Sequence, residues 1–119
     1  MIHGSLALAN ADRVIRKVRK TTNFLERMRG LLGTKNLDND EGLLIAPCSS
    51  VHTFGMRYSI DVLFLDKQFN IVKAVKSLKP WRMAGSNLSS MVLELADDNI
   101  NKLQLKTGQQ LEWHDDYLN

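Results

Sequence analysis

One cysteine, two prolines and 7% aromatic residues in a chain of 119 are low counts, and each shortage narrows what the protein can be. Cys48 has no partner, so an intramolecular disulfide cannot form and a disulfide-stapled secreted scaffold is excluded. No apolar run approaches the roughly 18 residues that a helix needs to cross a membrane. The Gly-x-Gly-x-x-Gly and Gly-Lys-Ser/Thr loops that cradle phosphates are missing, as are Gly-x-Ser-x-Gly and His-Glu-x-x-His. The three histidines, His3, His52 and His114, have no paired-ligand spacing. A closed zinc site draws on four such ligands, so neither a metal nor any other cofactor is expected.

What remains is ordinary for one folded domain spanning 1–119: 44% hydrophobic residues, 24% charged and a net charge of +3. The charge is unevenly spread. Residues 1–35 hold eight Lys or Arg and two acids, whereas residues 85–119 hold two and six. Two oppositely charged ends that attract each other explain this without a nucleic acid, which is not expected as a partner. The apolar stretch at 6–9 is too short for an export signal and reads as a strand, so a cytoplasmic protein is expected.

Strand patterns follow along the chain. Residues 14–21 interleave Val14, Ile15 and Val18 with Arg16, Lys17, Arg19 and Lys20, as an edge strand with one solvated face would. Residues 42–46 and 60–65 read as strands covered on both faces, since neither alternates. Residues 60–79 form a hairpin across the turn at 66–70. Residues 91–95 form another strand, Asp97 and Asp98 favour a helix start, and the last strand at 110–114 turns Leu111 and Trp113 inward. Residues 48–58 and 80–90 read as irregular. The clearest helix spans 23–33, with Asn23 as its cap, Glu26 completing a capping box, and Gly33 as its stop. Its stripe of Phe24, Met28 and Leu31 is expected to face the core. The sum is an α+β fold: a small, mainly antiparallel, partly closed β-barrel with one or two short helices.

Asp61 lies inside an otherwise apolar strand, and a buried carboxylate is costly unless something receives it. His52, Arg57, Asp61 and Arg82, with Glu94 as a further candidate, come from strand ends and loops. They could form a structural ion-pair network, or a pocket in which arginine forks meet an anionic group above Phe54, Met56 and Trp81. Cys48 and His52 are the pair to test for nucleophilic chemistry, since a reactive thiol needs a base and a lowered pKa. No cysteine-hydrolase pattern surrounds them, and a buried inert thiol is the commoner case.

The string from Pro47 to Asp66 resembles the signature of a prokaryotic family catalogued as domain of unknown function 192. Glu26-Arg27-Met28-Arg29-Gly30-Leu31-Leu32-Gly33 is similar to that family's first helix, Pro80-Trp81-Arg82 to a motif of one branch, and Val92-Leu93-Glu94-Leu95 to its later strand. Two features depart from the pattern. Ala96-Asp97-Asp98 stands where many relatives have Pro-Ala-Gly, and no export signal of the kind many relatives carry is read here. The resemblance implies a β-rich barrel-like fold with one or two helices, and it implies no activity, cofactor or catalytic residue; a bacterial source is expected. The expectation is therefore a binding or accessory domain that recognises an anionic small molecule or a protein partner at His52, Arg57, Asp61, Trp81 and Arg82. The alternatives are an enzyme using Cys48 or His52, and a protein-interaction module using the basic strand 14–20.

Overall fold

The structure, a computed structural model, describes residues 1–9, 14–31 and 36–116, so the turn expected at 10–12 and the stop at Gly33 lie outside the described residues. The elements are β1 (Ile2–Leu8), β2 (Val14–Lys20), α1 (Phe24–Arg29), β3 (Glu41–Ile45), β4 (Ser50–His52), β5 (Ile60–Leu65), β6 (Ile71–Leu78), β7 (Met83–Gly85), β8 (Met91–Ala96), α2 (Asn99–Lys102) and β9 (Leu111–Asp115). Seven strands make one sheet in the order β6-β5-β8-β3-β2-β1-β9, and β4 pairs with β7 in a second, two-stranded sheet. Within the large sheet β2 and β3 run parallel, joined through α1, and the other neighbours run antiparallel.

The large sheet curls until its two edge strands touch at one end. Asn70 bridges to Gln110, the Leu111 N–H donates to the Phe69 carbonyl at 3.0 Å, and the Ile71 N–H to that of Gln109 at 2.8 Å. Curling creates an inside and an outside. The inner core takes Leu6, Ile15, Val18, Leu44, Leu63, Leu93 and Leu111 from strands all round the sheet. The outer core lies on β3, β5 and β8, with Leu78 of β6 beside them, and there Leu43, Val62, Phe64 and Val92 meet Leu31, Leu37, Val51 and Met56. Alternate side chains of these three strands enter different cores, which is why their sequences show no polar face.

Two expectations change. The basic strand β2 is not at an edge: it pairs with β1 on one side and β3 on the other. Ile15 and Val18, three residues apart, both reach the inner core because the β1–β2 register shifts between Gly4 and Leu6. Gly4 is needed there, since a Cβ would lie 2.5 Å from the Trp113 ring and from the His114 carbonyl oxygen. The helix is also shorter and less buried than its stripe implies. Asn23 caps it, accepting from the Glu26 N–H at 2.9 Å, but Glu26 reaches back to the Thr22 N–H rather than to that of Asn23. The helix buries none of its residues, and Met28 is 61% exposed. Of the stripe, Leu31 alone, one residue past the Gly30 cap, enters the outer core among the described residues.

Asp61 is fully buried on the inner face of β5. Its two oxygens accept from the backbone N–H of Ser77 at 2.8 Å and of Ile100 at 2.7 Å. The first bond fills the irregularity in the β5–β6 pairing, where Ser77 has φ +51°. The second caps α2, whose own N-cap residue, Asp98, makes no side-chain capping bond to the helix backbone. Asp61→Ala leaves both donors unpaired and is expected to cost about 1 to 3 kcal/mol in chemical denaturation. A change within about 0.5 kcal/mol, the scale of ordinary surface substitutions, would contradict this role.

Candidate functional site

After β3 the chain crosses the outer core as a short extended run. Val51 turns inward while Ser50 and His52 face out, and His52 lies opposite Met83 of β7. The next residue, Thr53, is fully buried. Its hydroxyl donates to the Lys79 carbonyl at 2.6 Å and accepts from the Arg82 N–H at 2.9 Å. Its backbone bonds Trp81 and Arg82 in addition. This clamp holds Trp81 at φ +63°, a region that costs a bulky residue strain, with its side chain 65% exposed. Phe54 connects the two sides: its ring centroid lies 5.1 Å from that of His52 and 5.8 Å from that of Trp81. His52, Phe54 and Trp81 therefore form one ledge of rings.

The expected five-residue cluster only partly assembles. His52 and Trp81 share the ledge, and Arg82 follows Trp81, its guanidinium donating to the Trp81 carbonyl at 3.3 Å. Arg57 is exposed on the link between β4 and β5, with no ion pair among the described residues. Asp61 does not belong to the cluster. Strand alternation turns it to the inner core, away from His52, and two backbone donors occupy it there.

The same alternation places a different acid beside His52. On β8, Met91, Leu93 and Leu95 enter the inner core while Val92 and Ala96 enter the outer one. Glu94, between the latter two, must face the outer core. It is 3% exposed, with neither an ion pair nor a hydrogen bond among the described residues, and burial pushes its carboxyl up to about 7. It lines a cavity of about 70 Å³ beneath the end of α1. Ile45, Val51 and Met56 give that cavity apolar walls, and Arg27, Arg29, Cys48 and His52 also border it. Gly30, with φ +51°, lets the chain pass over the acid: a Cβ there would sit 3.5 Å from Glu94 Oε1. The Tyr58 hydroxyl, on a ring that packs against this core, is fully buried without a partner among the described residues.

Cys48 is half-buried at the cavity and its thiol donates to the Ser50 carbonyl at 2.9 Å. Burial pushes the thiol pKa up, with Glu94 acting in the same direction and Arg27 against it. That is the opposite of what activates a nucleophile. Among the described residues no group of three or more His, Cys, Asp or Glu is placed to hold a metal ion, and no helix is long and apolar enough to cross a membrane. The signal for Glu94 was available in the chain: it is an acid inside an apolar strand, as Asp61 is.

The sequence profile of the DUF192 family, described as an uncharacterized ACR, matches residues 7–113. The chain belongs to this family. A UPF0127 protein of Thermococcus sibiricus is 31% identical over 103 residues, covering 82% of this chain and 66% of its own length. One from Pyrococcus furiosus is 31% identical over 104 residues, covering 82% of this chain and 87% of its own. The chain thus spans about two thirds of the Thermococcus relative. Both relatives are archaeal, so the expected bacterial source is not supported. Two solved structures share the fold. One, from Sinorhizobium meliloti and proposed to be a transcription regulator, has a TM-score of 0.83 at 20% identity, covering 93% of each chain. The other, a protein of unknown function from Novosphingobium aromaticivorans, has a TM-score of 0.76 at 18% identity, covering 93% of this chain and 84% of that one. At these identities the likeness concerns the fold alone.

Members of the family thus bring no assigned activity to the cavity, but its acid has a measurable signature. Between the ordinary carboxyl value of 4.5 and about 7, folded Glu94 keeps its proton while the unfolded chain has lost it. Over that window the unfolded state binds fewer protons, so stability falls as pH rises, by about 3 kcal/mol in all. Glu94→Gln removes this dependence. The variant is expected to match wild type near pH 4.5 and to exceed it by a few kcal/mol at pH 8 in urea denaturation. A pH-independent difference between the two proteins would contradict it.

Proposed function

We propose that this chain is a cytoplasmic binding or accessory domain whose ligand seats where the cavity under α1 opens beside the ledge of His52, Phe54 and Trp81. One observation carries the reading: the Glu94 carboxyl is buried in the cavity without a partner. Folds bury an unpaired acid at a cost of several kcal/mol and keep it where a ligand or a reaction uses it. The ledge supports the same face, because the buried Thr53 hydroxyl and a positive φ are spent on presenting Trp81 to solvent. Arg82 and Arg57 are assigned to its rim. A lone free thiol fits a reducing compartment.

The other two readings lose support from the geometry. An enzyme using Cys48 needs a lowered thiol pKa, and burial raises it. A protein-interaction module using the basic strand 14–20 loses one mode of contact, strand addition, because β2 has both edges paired.

Benzoate, which joins a ring to a carboxylate, tests the proposed face. Titration followed by amide and indole NMR shifts is expected to move Gly30, Cys48, His52 and the Trp81 indole together, saturating in the millimolar range. Shifts confined to other surfaces, or none at tens of millimolar, would refute the reading.

A further inference from the structure

The cavity under α1 is electrically lopsided. Glu94 lies at its floor, 3% exposed, while Arg27 and Arg29 of the helix segment and His52 of β4 border its more open side. Arg27 does not neutralise the acid: no ion pair within 4.0 Å joins them among the described residues. Cys48 borders the same cavity, where Glu94 pushes its thiol pKa up and Arg27 pulls it down. Each water claims about 30 Å³ of the liquid, so a 70 Å³ space takes a head group of only a few heavy atoms.

We propose that this cavity binds the head group of a small oxyanion, a carboxylate or a phosphate, with Arg27 and His52 meeting its charge and the protonated Glu94 carboxyl donating a hydrogen bond from the floor. This names the ligand class for the face proposed above and rests on that reading. The Arg27 guanidinium and the His52 imidazole at the mouth favour an anion on approach. Guanidinium forks match both carboxylate and phosphate geometry. Once inside, the anion needs a donor at the floor, and Glu94 supplies one only in its acid form. Its burial favours that form up to about neutral pH. A cationic head group would suit an ionised Glu94 but would have to pass both arginines.

The binding is consequently proton-linked. The titratable and charged groups that face Glu94 or border the cavity are Arg27 and Arg29 from the helix segment, Cys48 and His52 from the β4 run, and Tyr58 from the link that follows. Of these, His52 also faces the proposed anion, so its contribution has to be separated from that of Glu94 by substitution.

Formate and inorganic phosphate are the probes, with methylammonium as the opposite charge, followed by the amide shifts of Gly30, Cys48 and His52. Formate is expected to saturate these shifts, and to bind about tenfold more weakly at pH 8 than at pH 6 as Glu94 ionises. His52→Gln is expected to keep most of that slope, whereas Glu94→Gln, whose amide still donates, is expected to flatten it. Arg27→Gln, a change at a partly exposed position of a capped helix, should weaken formate about tenfold, the scale of one charge-assisted hydrogen bond. Phosphate binding without formate binding would still support the oxyanion class. Methylammonium binding in the cavity while both anions leave it untouched would overturn the ligand class and leave the site standing. An unchanged slope in Glu94→Gln would overturn the role given to its carboxyl. If no probe moves the cavity residues the inference fails, and the benzoate response of the Trp81 ledge then decides separately whether the face binds anything.

Discussion

Three strands, β3, β5 and β8, are covered on both faces, and most of the structure follows from that constraint. A strand buried on both sides has no solvent face on which to place a polar residue, so every acid in it must find a partner inside the protein. Two buried acids occur there, on opposite faces. Asp61 looks into the curled sheet and is received by two backbone donors that would otherwise be orphaned, one at a strand irregularity and one at a helix start. Glu94 looks outward into the layer formed by β4 and the chain after α1, where no donor meets it among the described residues. The first acid organises the fold. The second costs stability, and its position at a cavity is what makes that cost intelligible.

The difference between the two acids is a matter of alternation. Asp61 shares a face with Leu63 and Leu65, and Glu94 shares one with Val92 and Ala96. Shifting either strand by one residue would exchange the faces and put each acid into the other core. The register of β5 against β8, which pairs Asp61 with Leu95 and Val62 with Glu94, therefore sets both the capping of α2 and the chemistry of the cavity.

Much of this was legible in the chain. The hairpin of β5 and β6, the fully apolar strands, the outward His114 and the Asn23 cap follow from period, turn residues and capping chemistry, which are local. Other features depend on what packs where. A basic, β-branched run looks the same at an edge as between two partners when its long side chains reach solvent past the sheet, so β2 could not be placed by composition. The spacing of Phe24, Met28 and Leu31 marks one side of a helix without saying whether anything covers it. Three-residue strands such as β4 and β7 leave too short a pattern to read. The cavity needed the crossing of α1 over β8, a contact between residues far apart in sequence, although the isolated acid in Leu93-Glu94-Leu95 carried the same warning as Asp61.

The account rests on Glu94 being buried and unpaired in the ligand-free protein. The most direct measurement is the side-chain carboxyl ¹³C shift of Glu94 as a function of pH, assigned by its loss in Glu94→Gln. The carboxyl is expected to titrate at about 7. A midpoint near the ordinary 4.5 would mean that water or a cation already satisfies it, and would contradict the account.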